Sequence, residues 1–363
     1  MKSMTIWCLG TLTALAVTGT AQARDGAVFT LSNASAGNEV LAFHRRADGL
    51  LRFAGRVATG GQGTGAGLGS QGALVLSEDA ELLFAVDAGS NEISSFAVDG
   101  TSLRRVGRAH SGGTRPISLT VHRDLLFVLN AGGQGNIAGF TVGARGGLRP
   151  LPDSSRPLSN NAADPAQIAF TPDGRHLVVT EKANNLIDVY EVSDDGLAEG
   201  PTTHASSGQT PFGFAFRRDG MLVVSEAFGG AEGASALSSY ELDDDGALQL
   251  TSASVPDQQS AACWVAITGN GRIAFTSNTG SGSISSYRIN RCGRLTLIDS
   301  VAGDTGAGSA PTDMALSRGS RFLFVLDSGT GAISAFGVGR GGALDPITGA
   351  SGLPTSAVGL AAR

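Results

Sequence analysis

One pattern recurs seven times in this chain: an apolar run, a polar strand end, a turn, then a second apolar run. The copies read "VFTLSNASAGNEVLAF", "LLFAVDAGSNEISSF", "LLFVLNAGGQGNIAGF", "HLVVTEKANNLIDVY", "MLVVSEAFGGAEGASALSSY", "IAFTSNTGSGSISSY" and "FLFVLDSGTGAISAF". Each closes on an aromatic residue: Phe43, Phe96, Phe140, Tyr190, Tyr240, Tyr287 or Phe336. Successive aromatics stand between 44 residues (Phe96 to Phe140) and 53 residues (Phe43 to Phe96) apart. A period of about 50 residues with four short strand signals per copy is that of a propeller blade. A sandwich would not repeat one motif at so constant an interval.

Within a copy, a first strand begins near a proline in "DPAQIAF", "TPFGFAF" and "APTDMAL". Turns such as "TPDGR", "TGNGR" and "DDDGAL" separate the strands, because Asp, Asn and Gly tolerate positive φ. Glycine supplies 53 of 363 residues, about twice the usual ~7%. It falls in clusters that punctuate the Val-, Leu- and Phe-rich runs. The chain after residue 24 opens on a second-strand pattern, "AVFTLSN", and ends on a first-strand pattern, "LPTSAVGLAA". The reading is an all-β, seven-bladed β-propeller, closed by the C-terminal strand pairing into the first blade, over residues 24–363. Closure removes an exposed sheet edge.

Residues 1–23 read as a secretory signal peptide: Lys2, an apolar stretch from Ile6 to Val17, and "AQA" at 21–23. The expected location is periplasmic or secreted. Cys263 and Cys292 remain after cleavage, too few for a disulfide framework, and they read as unpaired. A net charge of −6 without a basic stripe argues against nucleic acid. No later segment is apolar enough for a membrane span. A monomer with a small-molecule partner is the expectation.

The G-H and W-D marks of WD40 repeats are absent. What remains resembles the seven-bladed lactonase family, which includes 6-phosphogluconolactonase and 3-carboxymuconate cyclase. The segments "ALVLSEDAELLFAVDAGSNEISSFAVD", "QIAFTPDGRHLVVTEKANNLIDVYEVSDDGL" and "DMALSRGSRFLFVLDSGTGAISAF" carry the resemblance. It implies a site at the central channel that binds a lactone or organic acid, with hydrolase chemistry favoured over a cyclising lyase. The family's sites look like clusters of arginine, glutamate and often histidine. Here His176 reads as an outer turn, and His44, His110, His122 and His204 as third- or fourth-strand ends or turns.

Each second strand ends on a polar residue: Asn33, Asp87, Asn130, Glu181, Glu226, Asn278 or Asp327. Asp and Asn commonly close a strand by bonding their own turn, whereas glutamate is too long to do so easily. Glu181 and Glu226 occupy equivalent positions in neighbouring blades and are the candidate acid–base pair. Lys182 or Arg115 is the candidate oxyanion partner. The alternative is structural ion pairing of Glu181. Gln167, Phe212, Trp264 and Asp313 from first strands, with Asn130 and Asn278, are the candidate substrate-binding residues. No cofactor is expected. Asp87 and Asp327, with the other acids, form an alternative divalent-cation set of hard oxygen ligands. The glycine clusters lack the Lys-Ser/Thr ending of a phosphate loop. The competing function is a non-catalytic propeller that binds a protein or carbohydrate, since fold alone does not decide between the two.

Overall fold

The second strand of each repeat is buried along nearly its whole length because neighbouring blades cover both of its faces. Phe322–Asp327, for instance, is buried at every position. Outermost strands such as Ser102–His110 alternate exposed and half-buried residues. The protein is described here by a computed structural model covering residues 25–363; the signal-peptide reading of residues 1–23 lies outside the described residues.

Seven antiparallel sheets form. Blade 1 runs from Val358–Ala362 through Gly26–Leu31 and Glu39–Arg45 to Leu51–Ala58. Blades 2 to 7 begin with the inner strands Leu74–Leu76, Pro116–His122, Pro165–Phe170, Pro211–Phe216, Ala262–Ile267 and Pro311–Leu316. Each inner strand contacts the inner strand of the next blade, and Val358–Ala362 contacts both Pro311–Leu316 and Leu74–Leu76, so the ring is complete. The seven-bladed architecture and its C-terminal closure are as the repeats predict. Phe29 pairs with Ala361 and Thr30 with Leu360 across the closing seam.

Blade 3 departs from its sisters in having two short outer strands, Leu148–Pro150 and Arg156–Pro157, both paired with Asn136–Val142. Prolines at 150, 152 and 157 remove ladder donors and interrupt the strand. All seven closing aromatics are buried, at 3% exposure or less. Where the aromatic is tyrosine, its hydroxyl reaches a neighbouring segment: Tyr190 donates to the Pro157 carbonyl at 2.9 Å and Tyr287 to the Val255 carbonyl at 3.1 Å.

Two of the histidines sit elsewhere than expected. His122 ends the inner strand of blade 3, because only Arg123 and Asp124 separate that strand from the next. His176 opens the second strand of blade 4 and is buried. Among the described residues, no helix is long and apolar enough to cross a membrane.

The inner strands have no ladder partner on the channel side, so side chains supply one. Ser118 and Thr120 of blade 3 accept the N–H groups of Ile168 and Phe170 of blade 4. Gln167 of blade 4 grips both the N–H (2.7 Å) and the carbonyl (3.1 Å) of Phe214 in blade 5. Ser225 bridges to the Cys263 carbonyl, and Ser277 to the Thr312 carbonyl. Buried backbone groups need such partners. Register shifts interrupt the start of the inner strands in blades 3 to 7, as between Pro311 and Met314. Bulges of this kind re-aim side chains.

Candidate functional site

Three sets of polar residues are candidates, and they occupy different places. The first is the set that ends the second strands. All seven side chains are buried; five of them hold the chain segment that connects the previous blade to their own, and Asn33 holds the segment that leads from its own blade to the next. Asp87 accepts hydroxyl donors from Thr59 (2.5 Å) and Ser94 (2.6 Å) and an amide donor from Asn38 (3.0 Å). Glu226 accepts the Gly208 N–H (2.8 Å) and the hydroxyls of Ser238 (2.6 Å) and Ser254 (2.5 Å). Asp327 accepts the Ala310 N–H at 2.8 Å and the Thr330 hydroxyl at 2.7 Å. Asn130 donates to the Ser111 carbonyl at 3.2 Å. Asn33 donates to the Ala66 carbonyl at 2.6 Å. Asn278 instead donates to Ser285, within its own blade, at 2.8 Å. Burial raises the carboxyl pKa of both Asp87 and Glu226.

Glu181 accepts the Ser159 N–H at 3.0 Å, the Ser159 hydroxyl, and the Asn184 amide at 2.9 Å. Glu181 and Glu226 have none of these partners in common. The carboxyl beside Glu181 is instead Asp188, on the third strand of its own blade, Leu186–Val192. Asp188 shares the Ser159 N–H, at 3.2 Å. Burial first, and then Glu181, push the Asp188 carboxyl up to about 7. Sequence reasoning passed over Asp188, although a signal existed: the equivalent residue is Ser94, Ser238, Ser285 or Ser334 in four other blades.

The second set lies where a long connector crosses the ring. Residues 59–73 link blade 1 to blade 2, while the other connectors run to seven residues or fewer. Lys182 donates to the Gly69 carbonyl at 2.8 Å and the Pro165 carbonyl at 3.1 Å. Its ammonium also lies 3.5 Å from Asp164 and 4.9 Å from the centroid of the Phe212 ring. Burial lowers the Lys182 pKa, and nearby Arg115 adds to the effect while Asp164 opposes it. Trp264 stacks at a tilt on Phe212, 5.1 Å between centroids, and donates its indole N–H to the Ser70 carbonyl at 3.0 Å. Gln71 bonds the N–H and carbonyl of Val265, both at 3.1 Å. The structure thus brings Lys182, Phe212 and Trp264 together, with exposed Arg115 nearby, but as anchors of residues 69–71. The glycine cluster that reads as turn punctuation packs on Asn33 and Asp87 in its first part and leads into residues 69–71, which reach blades 4 and 6.

The third set borders the end of that connector, at Gln71 and Gly72. A cavity of about 300 Å³ is bounded by the inner strands of blades 1, 2, 3, 4 and 7. Its polar lining is Gln71, Thr120, Gln167 and Asp313. Asp313 sits in the bulge of its inner strand and accepts the Gly359 N–H at 2.9 Å. Burial pushes its carboxyl up to about 7, against hydrogen bonds from Gly359 and Gly72 that lower it. Gly359 has φ +70°, and a Cβ there would stand 2.8 Å from the Leu74 backbone nitrogen, so glycine lets the closing strand approach blade 2. Asp313 is the one titratable residue among those lining the cavity. None of the seven strand-end residues lines it.

Asp87, Asp327 and the two glutamates are occupied by protein donors, and the four sit in four different blades. Among the described residues, no group of three or more His, Cys, Asp or Glu side chains converges as a metal site would require. Cys263 is buried and Cys292 exposed, and both are free thiols. A separate surface depression at the edge of blade 1 is lined by Asp25, His44, Arg46, Asp48 and Arg52. Two of its bases are already opposite acids, His44 with Asp25 at 3.1 Å and Arg46 with Asp48 at 3.2 Å.

The geometry defines a seven-bladed propeller whose first connector reaches across the ring to blades 4 and 6. The family model described as "Lactonase, 7-bladed beta-propeller" matches residues 149–255 and 227–351. These segments together span more than half of the chain, and the chain belongs to that family. Among solved structures it is similar to a proposed 6-phosphogluconolactonase from Bacteroides uniformis, with TM-score 0.74, 18% identity, and coverage of 92% of this chain and 99% of that one. It is also similar to the periplasmic gluconolactonase PpgL of Pseudomonas aeruginosa, with TM-score 0.72, 17% identity and coverage of 91% and 98%. At such identities the likeness is one of fold. A 6-phosphogluconolactonase of Yersinia enterocolitica is 32% identical over 60 residues, which is 16% of this chain and 18% of that enzyme. The match therefore spans less than a fifth of that curated relative.

Proposed function

We propose that this chain is an exported lactone hydrolase whose substrate occupies the cavity between the inner strands, with Asp313 as the acid–base residue. The observation that carries this reading is a lone titratable carboxyl, raised to about 7, lining a cavity of about 300 Å³. A perturbed carboxyl in a concave site is where acid–base chemistry is expected. Its ionised form takes a proton from water as the water oxygen adds to the lactone carbonyl. The tetrahedral intermediate then expels the ring oxygen, and Asp313 returns the proton to that leaving alkoxide. The C–O ring bond breaks, and a hydroxy acid forms. The amide N–H of Gln167 that is not donated to the Phe214 carbonyl is the candidate to steady the oxyanion.

Glu181 and Glu226, the pair expected from sequence, serve in this reading as anchors of inter-blade connectors, because each already has three protein donors. Export rests on the signal-like residues 1–23 and agrees with the periplasmic location named for the Pseudomonas relative. The test is Asp313→Asn, which keeps an acceptor for Gly359. Loss of kcat/KM on a lactone panel by roughly two orders of magnitude, with the variant still folded, is the expected result. Full turnover by that variant would remove Asp313 from the chemistry.

One observation favours the scaffold reading instead. The amides of Gln71 and Gln167 are both engaged with strand edges, as a purely structural filling of the channel requires. Absence of turnover on every lactone, together with a tight macromolecular partner, would decide for it.

A further inference from the structure

We infer that the lactone taken by this cavity is uncharged and carries an aliphatic substituent; the inference rests on the hydrolytic reading above. Three features of the lining lead there.

The first is charge. No Lys, Arg or His lies among the residues lining the cavity, and its one ionisable group is the acid Asp313. The cations Lys182 and Arg115 belong to the connector side. Lys182 is committed to the Gly69 and Pro165 carbonyls, and Gln71 and Gly72, which follow in the chain, form the cavity's own lining. A phosphate or second carboxylate would enter without a counter-ion and face a like charge, which burial makes strongly unfavourable.

The second is hydrogen-bonding capacity. Gln71 bonds the Val265 N–H and carbonyl. Gln167 bonds the Phe214 N–H and carbonyl, and the Thr120 hydroxyl accepts the Phe170 N–H at 3.0 Å. Few polar atoms are left to satisfy the several hydroxyls of a sugar lactone, and each one buried without a partner opposes binding.

The third is the wall. Beyond Asp313, farther along the inner strands, the lining is Val75, Leu76, Val121 and Ala169. All four are partly exposed, and they present aliphatic carbon to the cavity. A small ring under Asp313 with a short hydrocarbon chain along these residues fits the volume and the chemistry.

The test uses the purified protein with four substrates: δ-hexalactone (methyl substituent), δ-nonalactone (butyl), glucono-δ-lactone and its 6-phosphate. Acid release is followed after subtracting spontaneous hydrolysis. Both alkyl lactones should turn over, with kcat/KM rising roughly tenfold or more from methyl to butyl as three further CH₂ groups are buried. The Val121→Asp variant should erase that rise. Equal kcat/KM for the methyl and butyl substrates would overturn the substituent. Turnover confined to the sugar lactone or its phosphate would overturn the inference while leaving a lactone hydrolase in place. No turnover of any of the four would overturn both.

Discussion

The carboxyl groups of Glu181 and Asp188 converge on a single backbone N–H, that of Ser159, at 3.0 and 3.2 Å. Two carboxylates that close cannot both ionise without repulsion, so one proton is retained between them. With Asp188 raised to about 7 against an unfolded value of about 3.9, its folded form holds the proton more tightly. The stabilisation is full below the unfolded value and is lost as pH rises through about 7. The unfolding temperature should therefore fall between pH 5 and pH 8. Asp188→Asn should flatten that fall and be the more stable protein at pH 8, by roughly 1–3 kcal/mol, read from denaturant curves at the two pH values.

Glu226 offers a separate test of where the chemistry lies. Its three donors, Gly208, Ser238 and Ser254, face a buried carboxyl, and glutamine would present an N–H to one of them. Glu226→Gln should lose roughly 1–3 kcal/mol of stability while kcat/KM per folded molecule is kept. A large loss of kcat/KM with stability unchanged would return the glutamate to the catalytic role its sequence position suggests.

Asp313 has a structural duty alongside its proposed chemistry. It accepts N–H groups from Gly359 of the closing strand and Gly72 of the long connector. Asp313→Ala leaves both donors buried and unpaired, and should lower stability by roughly 2–4 kcal/mol; Asp313→Asn should be milder. In the parent protein, kcat/KM should climb with pH through about 7, since the ionised carboxyl is the base. A flat profile between pH 5.5 and 8.5 would contradict that assignment.

Gln71 reaches from the connector to blade 6. Gln71→Ala removes the partner of the Val265 N–H, and amide hydrogen exchange at Val265 should speed up while exchange in blade 3 is unchanged. Equal protection in both proteins would mean that water replaces the glutamine without consequence.

Removal of residues 353–363 deletes Val358–Ala362 and bares the edge of Gly26–Leu31. The truncated chain should unfold at a markedly lower temperature and aggregate through that edge, as scanning calorimetry and light scattering would detect.

Much of this architecture is legible in the repeat. Phe96, Tyr190 and their five counterparts mark the blades, and "AVFTLSN" against "LPTSAVGLAA" marks the seam. The site is less legible. Position in the repeat marks Gln167, Phe212, Trp264 and Asp313 as first-strand residues, and Gln167 and Asp313 line the cavity. Phe212 lies against Lys182, and Trp264 bonds Ser70 of the connector. Asp188 was passed over because a single repeat does not reveal that its neighbour across the sheet is another acid.

Blade count, strand order within a blade and ring closure are all written in the residues. Those follow from short-range periodicity and turn chemistry, repeated seven times over. Which polar residues face a cavity and which hold connectors is settled in the folded ring. That depends on contacts across blades, such as Lys182 with Gly69 and Gln71 with Val265, more than a hundred residues apart in each case. Spacing within a repeat carries no information about such pairs, because they form only once the ring has closed around the connector.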